Sequence, residues 1–128
     1  MTYYISRILP DAGFGDTVSR VTRALGDEGF GVLTEIDVQA TLKKKLDVDF
    51  RPYRILGACN PQMARRALES EDKIGTMLPC NVIVQQADGG VEIAAVDPVA
   101  SMSAVGNPAL EEIAGQVREA LKRVVEAV

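Results

Sequence analysis

The chain has 128 residues, of which 47% are hydrophobic and 25% are charged. That length suits one domain with one hydrophobic core, and the composition excludes extended disorder. The net charge is −4, with +2 carried by residues 1–66 and −6 by residues 67–128. We therefore expect residues 1–128 to form a single domain, alone or as a small oligomer.

Charge and hydropathy exclude several kinds of partner. The only basic run, Lys43-Lys44-Lys45, has no aromatic residue interleaved, so we predict no nucleic-acid binding and interpret the run as a solvated helix face. The N-terminus lacks the apolar core of a signal peptide, and no apolar stretch approaches the roughly 20 residues of a membrane span. We expect a cytoplasmic protein without membrane association, whose two cysteines are free thiols.

The first predicted elements are a strand, a helix and a second strand. Residues 3–9 form the first strand, and Asp16 is the predicted N-cap of the helix that follows. Gly29 is expected to end that helix, because glycine adopts the left-handed conformation at little steric cost. Residues 30–36 alternate as a second strand, and the period then changes to that of a short helix from Asp37.

A third strand runs directly into a helix. Residues 53–59 read as the strand, Asn60 as the N-cap and Pro61 as the first helical residue. This helix is expected to end near residues 69–72.

The last predicted elements are a hairpin and a long helix. Asp88-Gly89-Gly90 separates two alternating segments, residues 81–86 and 91–96, and glycine supplies the positive φ that a tight turn needs. Asn107 and Pro108 then begin a helix in which apolar residues recur every three or four positions up to Val128.

The predicted element order is β-α-β-(short α)-β-α-β-β-α. This order fits an α+β two-layer sandwich, with a mixed or antiparallel sheet and helices on one face. Alternate apolar residues would then lie on the other face and form a patch that a second copy or a small molecule would cover. The residues assigned to that patch are Leu33, Leu56, Ala58, Ile83, Ala94 and Val96.

Two Cys-Asn pairs, each next to a proline, carry the chemistry of the chain. They define a candidate site formed by Cys59, Asn60, Pro61, Pro79, Cys80 and Asn81. Cys59 precedes a helix N-terminus that favours a thiolate, yet free cysteine is also among the most buried residue types. A parallel crossover between the strands would hold the two thiols at opposite sheet edges.

Other chemistries are excluded or unsupported. The chain has no histidine, which excludes Ser-His-Asp and Cys-His catalysis and His-containing zinc sites. The loop Gly13-Phe14-Gly15 matches a dinucleotide fingerprint only in part, since Val18 stands at the third glycine position. The acidic residues show no metal-loop spacing, so we predict neither a cofactor nor a metal.

The two Cys-Asn blocks resemble the bacterial and archaeal family called domain of unknown function 302. The resemblance rests on residues 53–61, on the block at residues 78–82, and on Asp97-Pro98. It implies a compact α+β fold that forms a dimer, and no established activity, cofactor or catalytic residue. Thr76 and Met77 depart from the leucines expected after Gly75, which affects packing more than any site.

The residues favour a binding protein over an enzyme. We expect a non-enzymatic, homodimeric module that binds a small molecule or a protein. The alternative is a thiol protein that uses Cys59 and Cys80 for redox chemistry, sulfur transfer or soft-metal binding.

Overall fold

The computed structural model describes residues 2–128, which form an α+β two-layer sandwich built on one sheet. All five strands are antiparallel, in the spatial order β1-β5-β4-β3-β2. The strands are β1 (Tyr4–Leu9), β2 (Gly31–Asp37), β3 (Tyr53–Cys59), β4 (Cys80–Ala87) and β5 (Gly90–Val96).

Three of the five helices begin where local sequence signals predict them, whereas the cap of the first was predicted wrongly and the short fourth helix was not predicted. They are α1 (Phe14–Asp27), α2 (Val38–Leu46), α3 (Pro61–Ser70), α4 (Pro98–Met102) and α5 (Pro108–Ala127). Asp37, Asn60 and Asn107 each accept a backbone N–H as N-caps, and Gly29 has a φ of +84° beyond the end of α1. The predicted cap of α1 is wrong: Gly13 is its N-cap, and Asp16 lies in the first turn, where its charge still complements the helix dipole.

The core lies between the sheet and α1 and α5. Val21 and Leu25 of α1, together with Leu121 of α5, are fully buried with the inward-facing residues of β4 and β5. The guanidinium of Arg7 in β1 donates to the carbonyl oxygens of Glu126 and Val128, 2.8 Å from each. This contact joins the end of α5 to the sheet edge.

The assignment of the apolar face is correct for β4 and β5 and wrong for β3. Ile83, Ala94 and Val96 lie half-buried on the face opposite the core, as predicted. Leu56 and Ala58 instead face the helices and are fully buried, because they are paired with the inward-facing Val82 and Cys80. The second face of the sheet is therefore less apolar than predicted.

Leu33 differs from the other patch residues because a β-bulge interrupts β2. The pairing with β3 shifts between Val32 and Thr34, which leaves Leu33 without a direct partner. Its side chain is 67% exposed at the sheet edge. It adjoins the cavity described below rather than the predicted patch.

Candidate functional site

The two Cys-Asn blocks meet at one edge of the sheet. The chain leaves β3, returns through α3 and a short 3₁₀ helix (Asp72–Met77), and enters β4 antiparallel to β3. Ala58 is therefore directly opposite Cys80, and Cys59 is the next residue along. The parallel crossover that would separate the thiols does not occur.

An apolar cavity of about 280 Å³ lies against this edge of the sheet. Four of the six candidate residues line it, namely Cys59, Asn60, Pro79 and Cys80. Helix α3 forms one wall, and α4 and α5 close the opposite side. The wall residues contributed by these helices include Met63, Ala64, Ala67, Leu68, Pro98, Met102, Ile113, Ala114 and Val117.

The mouth of the cavity is marked by exposed lining residues. Leu33 on β2 is 67% exposed and Leu68 on α3 is 44% exposed, although both line the cavity. Aliphatic side chains at a cavity mouth leave apolar surface in water, where an apolar ligand or partner would cover it.

The other two candidate residues lie elsewhere. Pro61 is exposed at the first position of α3, where its missing N–H costs no hydrogen bond. Asn81 is exposed on the helix-free face, and its side chain forms no hydrogen bond with residues 2–128. Asn81 lies on the face opposite the cavity that Cys80 lines, because adjacent strand residues point to opposite faces.

Asn60 acts as the N-cap of α3. Its Oδ1 accepts from the backbone N–H of Met63 at 3.3 Å. The side-chain nitrogen has no hydrogen-bond partner within residues 2–128 and remains available to a ligand.

Asn60→Ala is expected to lower the free energy of unfolding by about 1 kcal/mol, the usual cost of losing an N-cap. Urea unfolding would measure the loss. Asn81→Ala is the matched control and should change stability little, because Asn81 caps no helix. A neutral Asn60→Ala variant would contradict the capping role.

The two cysteines are free and differ in environment. Cys59 is half-buried, whereas Cys80 is buried. Burial raises the pKa of the Cys80 thiol to about 11, and the negative charge of a nearby Cys59 thiolate adds to this effect. Cys80 is therefore protonated at neutral pH and is a poor nucleophile.

Alkylation of the native protein by iodoacetamide at pH 8 should reveal this difference. We expect modest labelling of Cys59 and none of Cys80 until the protein unfolds, because the thiolate is the reactive form. Peptide mass spectrometry would measure both, with Cys59→Ser and Cys80→Ser as controls. Rapid native labelling of both thiols would favour the thiol protein over the binding module.

Gly57, in the first Cys-Asn block, packs closely against Pro79, in the second. A methyl group built on Gly57 would lie 2.7 Å from Pro79 Cγ and closer still to Thr34 Oγ1. No side chain larger than hydrogen fits between these neighbours. Part of the sequence pattern around the cysteines is thus explained by packing.

Sequence reasoning missed the role of Asp97, which caps the short helix α4. Its Oδ1 accepts from the backbone N–H groups of Val99 and Ala100, and its Oδ2 accepts from Arg118 Nε at 3.0 Å. The hydrogen bond and the charge of Asp97 raise the pKa of Arg118 above its ordinary value. This contact holds α4, and with it Pro98 and Met102, against α5.

Two further observations concern metals and membranes. No group of three or more cysteine, aspartate or glutamate side chains converges on a possible metal position within residues 2–128. In the same part of the chain, no helix combines the length and apolarity needed to cross a bilayer.

Comparisons with known proteins agree with this architecture, an antiparallel five-stranded sheet with helices. Residues 5–128 match the family described as Domain of unknown function DUF302, and the chain belongs to this family. The crystal structure of an uncharacterized conserved DUF302 protein from Bacillus stearothermophilus is similar, with a TM-score of 0.92 and 32% sequence identity. The match covers 99% of this chain and 98% of that one. A search of curated proteins found no significant match.

Proposed function

We propose that this protein binds an apolar small molecule in the cavity beside the two Cys-Asn blocks. The observation that carries the proposal is the chemistry of the lining, which contains no charged side chain and one amide, that of Asn60. Ligand pockets typically combine such apolar walls with a small number of polar groups that fix orientation.

The volume sets the size of the ligand. A cavity of about 150 Å³ in a protein core accommodates benzene, with its six carbons. At the same packing density, a cavity of about 280 Å³ holds about eleven carbon atoms. A medium-length aliphatic chain or a two-ring aromatic compound fits this limit, and an oxygen acceptor on it could take a hydrogen bond from Asn60 Nδ2.

Binding of 1-aminonaphthalene, a neutral fluorescent dye of two rings and ten carbons, tests this function. We expect its emission to shift saturably to shorter wavelength with the native protein and to shift back when decanol displaces it. Ala64→Phe would fill the cavity from α3 and weaken dye binding by about tenfold or more. Ala40→Phe, on the exposed side of α2, is the matched control.

The dye experiment also has outcomes that contradict the proposal. Unchanged binding in Ala64→Phe would mean that the dye occupies another surface. Absence of binding to the folded wild-type protein would reject an apolar ligand of this size.

A thiol function is the second candidate, because both thiols are at the cavity. It would depend on Cys59, since Cys80 stays protonated, and the alkylation experiment decides it. We also propose a cytoplasmic location, where the two free thiols would stay reduced.

We also propose that the protein forms a homodimer through the edge strand β2. The outer side of β2 is unpaired, and its sequence contains no lysine or proline to discourage pairing. An antiparallel pair of β2 strands related by a two-fold axis would place the exposed Ile36 side chains of both copies at the interface.

Analytical ultracentrifugation tests the dimer. Ile36→Lys should shift the wild-type dimer to monomer, whereas Ile8→Lys, equally exposed on the opposite edge strand, should not. A wild-type monomer at micromolar concentration would reject the dimer without bearing on ligand binding.

A further inference from the structure

The helix-free face of the sheet carries a second groove, of about 400 Å³ and unlike the apolar cavity. All three tyrosines of the chain line it. Tyr3 and Tyr4 meet edge to face with ring centres 5.1 Å apart, and Tyr53 is contributed by β3. Tyr3 is 69% exposed, so packing of the core does not account for it.

Polar side chains stand at both ends of this groove. Gln85 and Glu92 are directly opposite on β4 and β5, and Gln85 Nε2 donates to Glu92 Oε1 at 2.7 Å. Asn81 lies on the same face, four residues before Gln85, which corresponds to about 13 Å along a strand. Between the two ends, Ile83 and Ala94 form an apolar floor.

Among the residues that the structure describes, Glu92 is the one charged residue in the lining of the groove, and Arg51 beside the groove offsets its charge. Arg51 Nε donates to Gln85 Oε1 at 2.9 Å, and the guanidinium lies over the rings of Phe50 and Tyr53. Arg51 and Glu92 are therefore joined through one amide, and their charges offset each other. Glu92 forms no salt bridge within residues 2–128, which leaves its second oxygen free to accept.

The hydrogen-bonding groups of the groove that have no partner within residues 2–128 indicate which chemical class of ligand it would bind. The three phenol hydroxyls and the Asn81 amide make no hydrogen bond with residues 2–128. Phenols, amides and carboxylates together donate to and accept from hydroxyl groups, and the negative face of a tyrosine ring attracts polarised C–H groups. A sugar ring presents both kinds of group, and two linked rings match the span between Asn81 and Gln85.

We propose that this groove is a binding site for a neutral saccharide of about two rings. The sugar lies over Ile83 and Ala94, with tyrosines at its ends. Gln85 and Glu92 bind hydroxyls at one end, and Asn81 binds them at the other. This site is separate from the cavity on the helix side, so either can exist without the other.

Titration of the ¹⁵N-labelled protein with cellobiose tests the proposal by NMR. We expect saturable shifts confined to β4, β5 and the starts of β1 and β3. Tyr3→Ala, which removes an exposed ring, should weaken binding by about fivefold, and Glu92→Gln should weaken it as well. Leu46→Ala, which removes an exposed apolar side chain on α2 outside the groove, is the control.

Three outcomes would overturn the proposal. Tighter binding of choline than of cellobiose would make the groove a cation site. Absence of shifts with cellobiose at tens of millimolar would reject a saccharide. Concentration-dependent broadening of the groove residues without sugar would show that a second copy of the chain covers them.

Discussion

Replacing Asp97 with alanine is expected to lower the free energy of unfolding by about 2.5–4 kcal/mol. The carboxylate is buried and accepts two backbone N–H groups and one guanidinium N–H. Loss of an N-cap costs about 1 kcal/mol, and loss of a hydrogen bond to a charged group costs about 1.5–3 kcal/mol. Urea unfolding monitored by circular dichroism would measure the change.

Two variants separate the contributions of Asp97. Asp97→Asn keeps an oxygen for the cap and removes the charge, so it should cost less than alanine. Arg118→Met removes the ion pair with Asp97, together with an exposed contact to Glu119, and should leave α4 capped. If Asp97→Asn were as destabilising as alanine, the charge rather than the cap would dominate.

Sequence predicted the features that are encoded locally. Asn60-Pro61 and Asn107-Pro108 each begin a helix because the cap and the missing proline N–H act within one turn. The hairpin at Asp88-Gly89-Gly90 is also predicted by local sequence, and Gly89 and Gly90 both have the positive φ that such a turn needs. At Gly13 the same reasoning failed, because a residue without a capping side chain begins α1.

The face assigned to each strand could not be predicted with the same reliability. The alternating pattern of β3 divides its residues into two sets that lie on opposite faces of the sheet. Which set faces the helices depends on the register of β3 with β4. Leu56 and Ala58 were assigned to the wrong face for this reason, although the strand itself was correct. The bulge at Leu33 was also invisible, because it exists only in the pairing of two strands.

The candidate site was predicted in part. The paired Cys-Asn blocks indicated the correct region, and four of the six residues line one cavity. Asn81 could not be assigned from its identity, since an Asn beside a Cys at a strand start can face either side. The contact of Asp97 with Arg118 joins residues 21 positions apart and left no local signal.

Gly57→Ala is expected to destabilise the protein by about 2 kcal/mol or more, because the new methyl group overlaps two neighbours at once. Thr34 could rotate away, but the Pro79 ring cannot. Pro79 directly precedes Cys80, so the strain would be transmitted to the cavity wall. Chemical unfolding would measure the loss of stability, and dye binding to the folded fraction would report on the cavity.

A matched glycine and a double variant make this prediction specific. Gly31→Ala, on β2, should be close to neutral, because an added methyl group there meets nothing within 4 Å. Thr34→Ala combined with Gly57→Ala removes the hydroxyl overlap and should recover part of the stability, leaving the overlap with Pro79. Full recovery of stability in the double variant would mean that the Pro79 ring moves aside at little energetic cost. The two Cys-Asn blocks would then be joined by strand pairing alone, and Gly57 would matter only through Thr34.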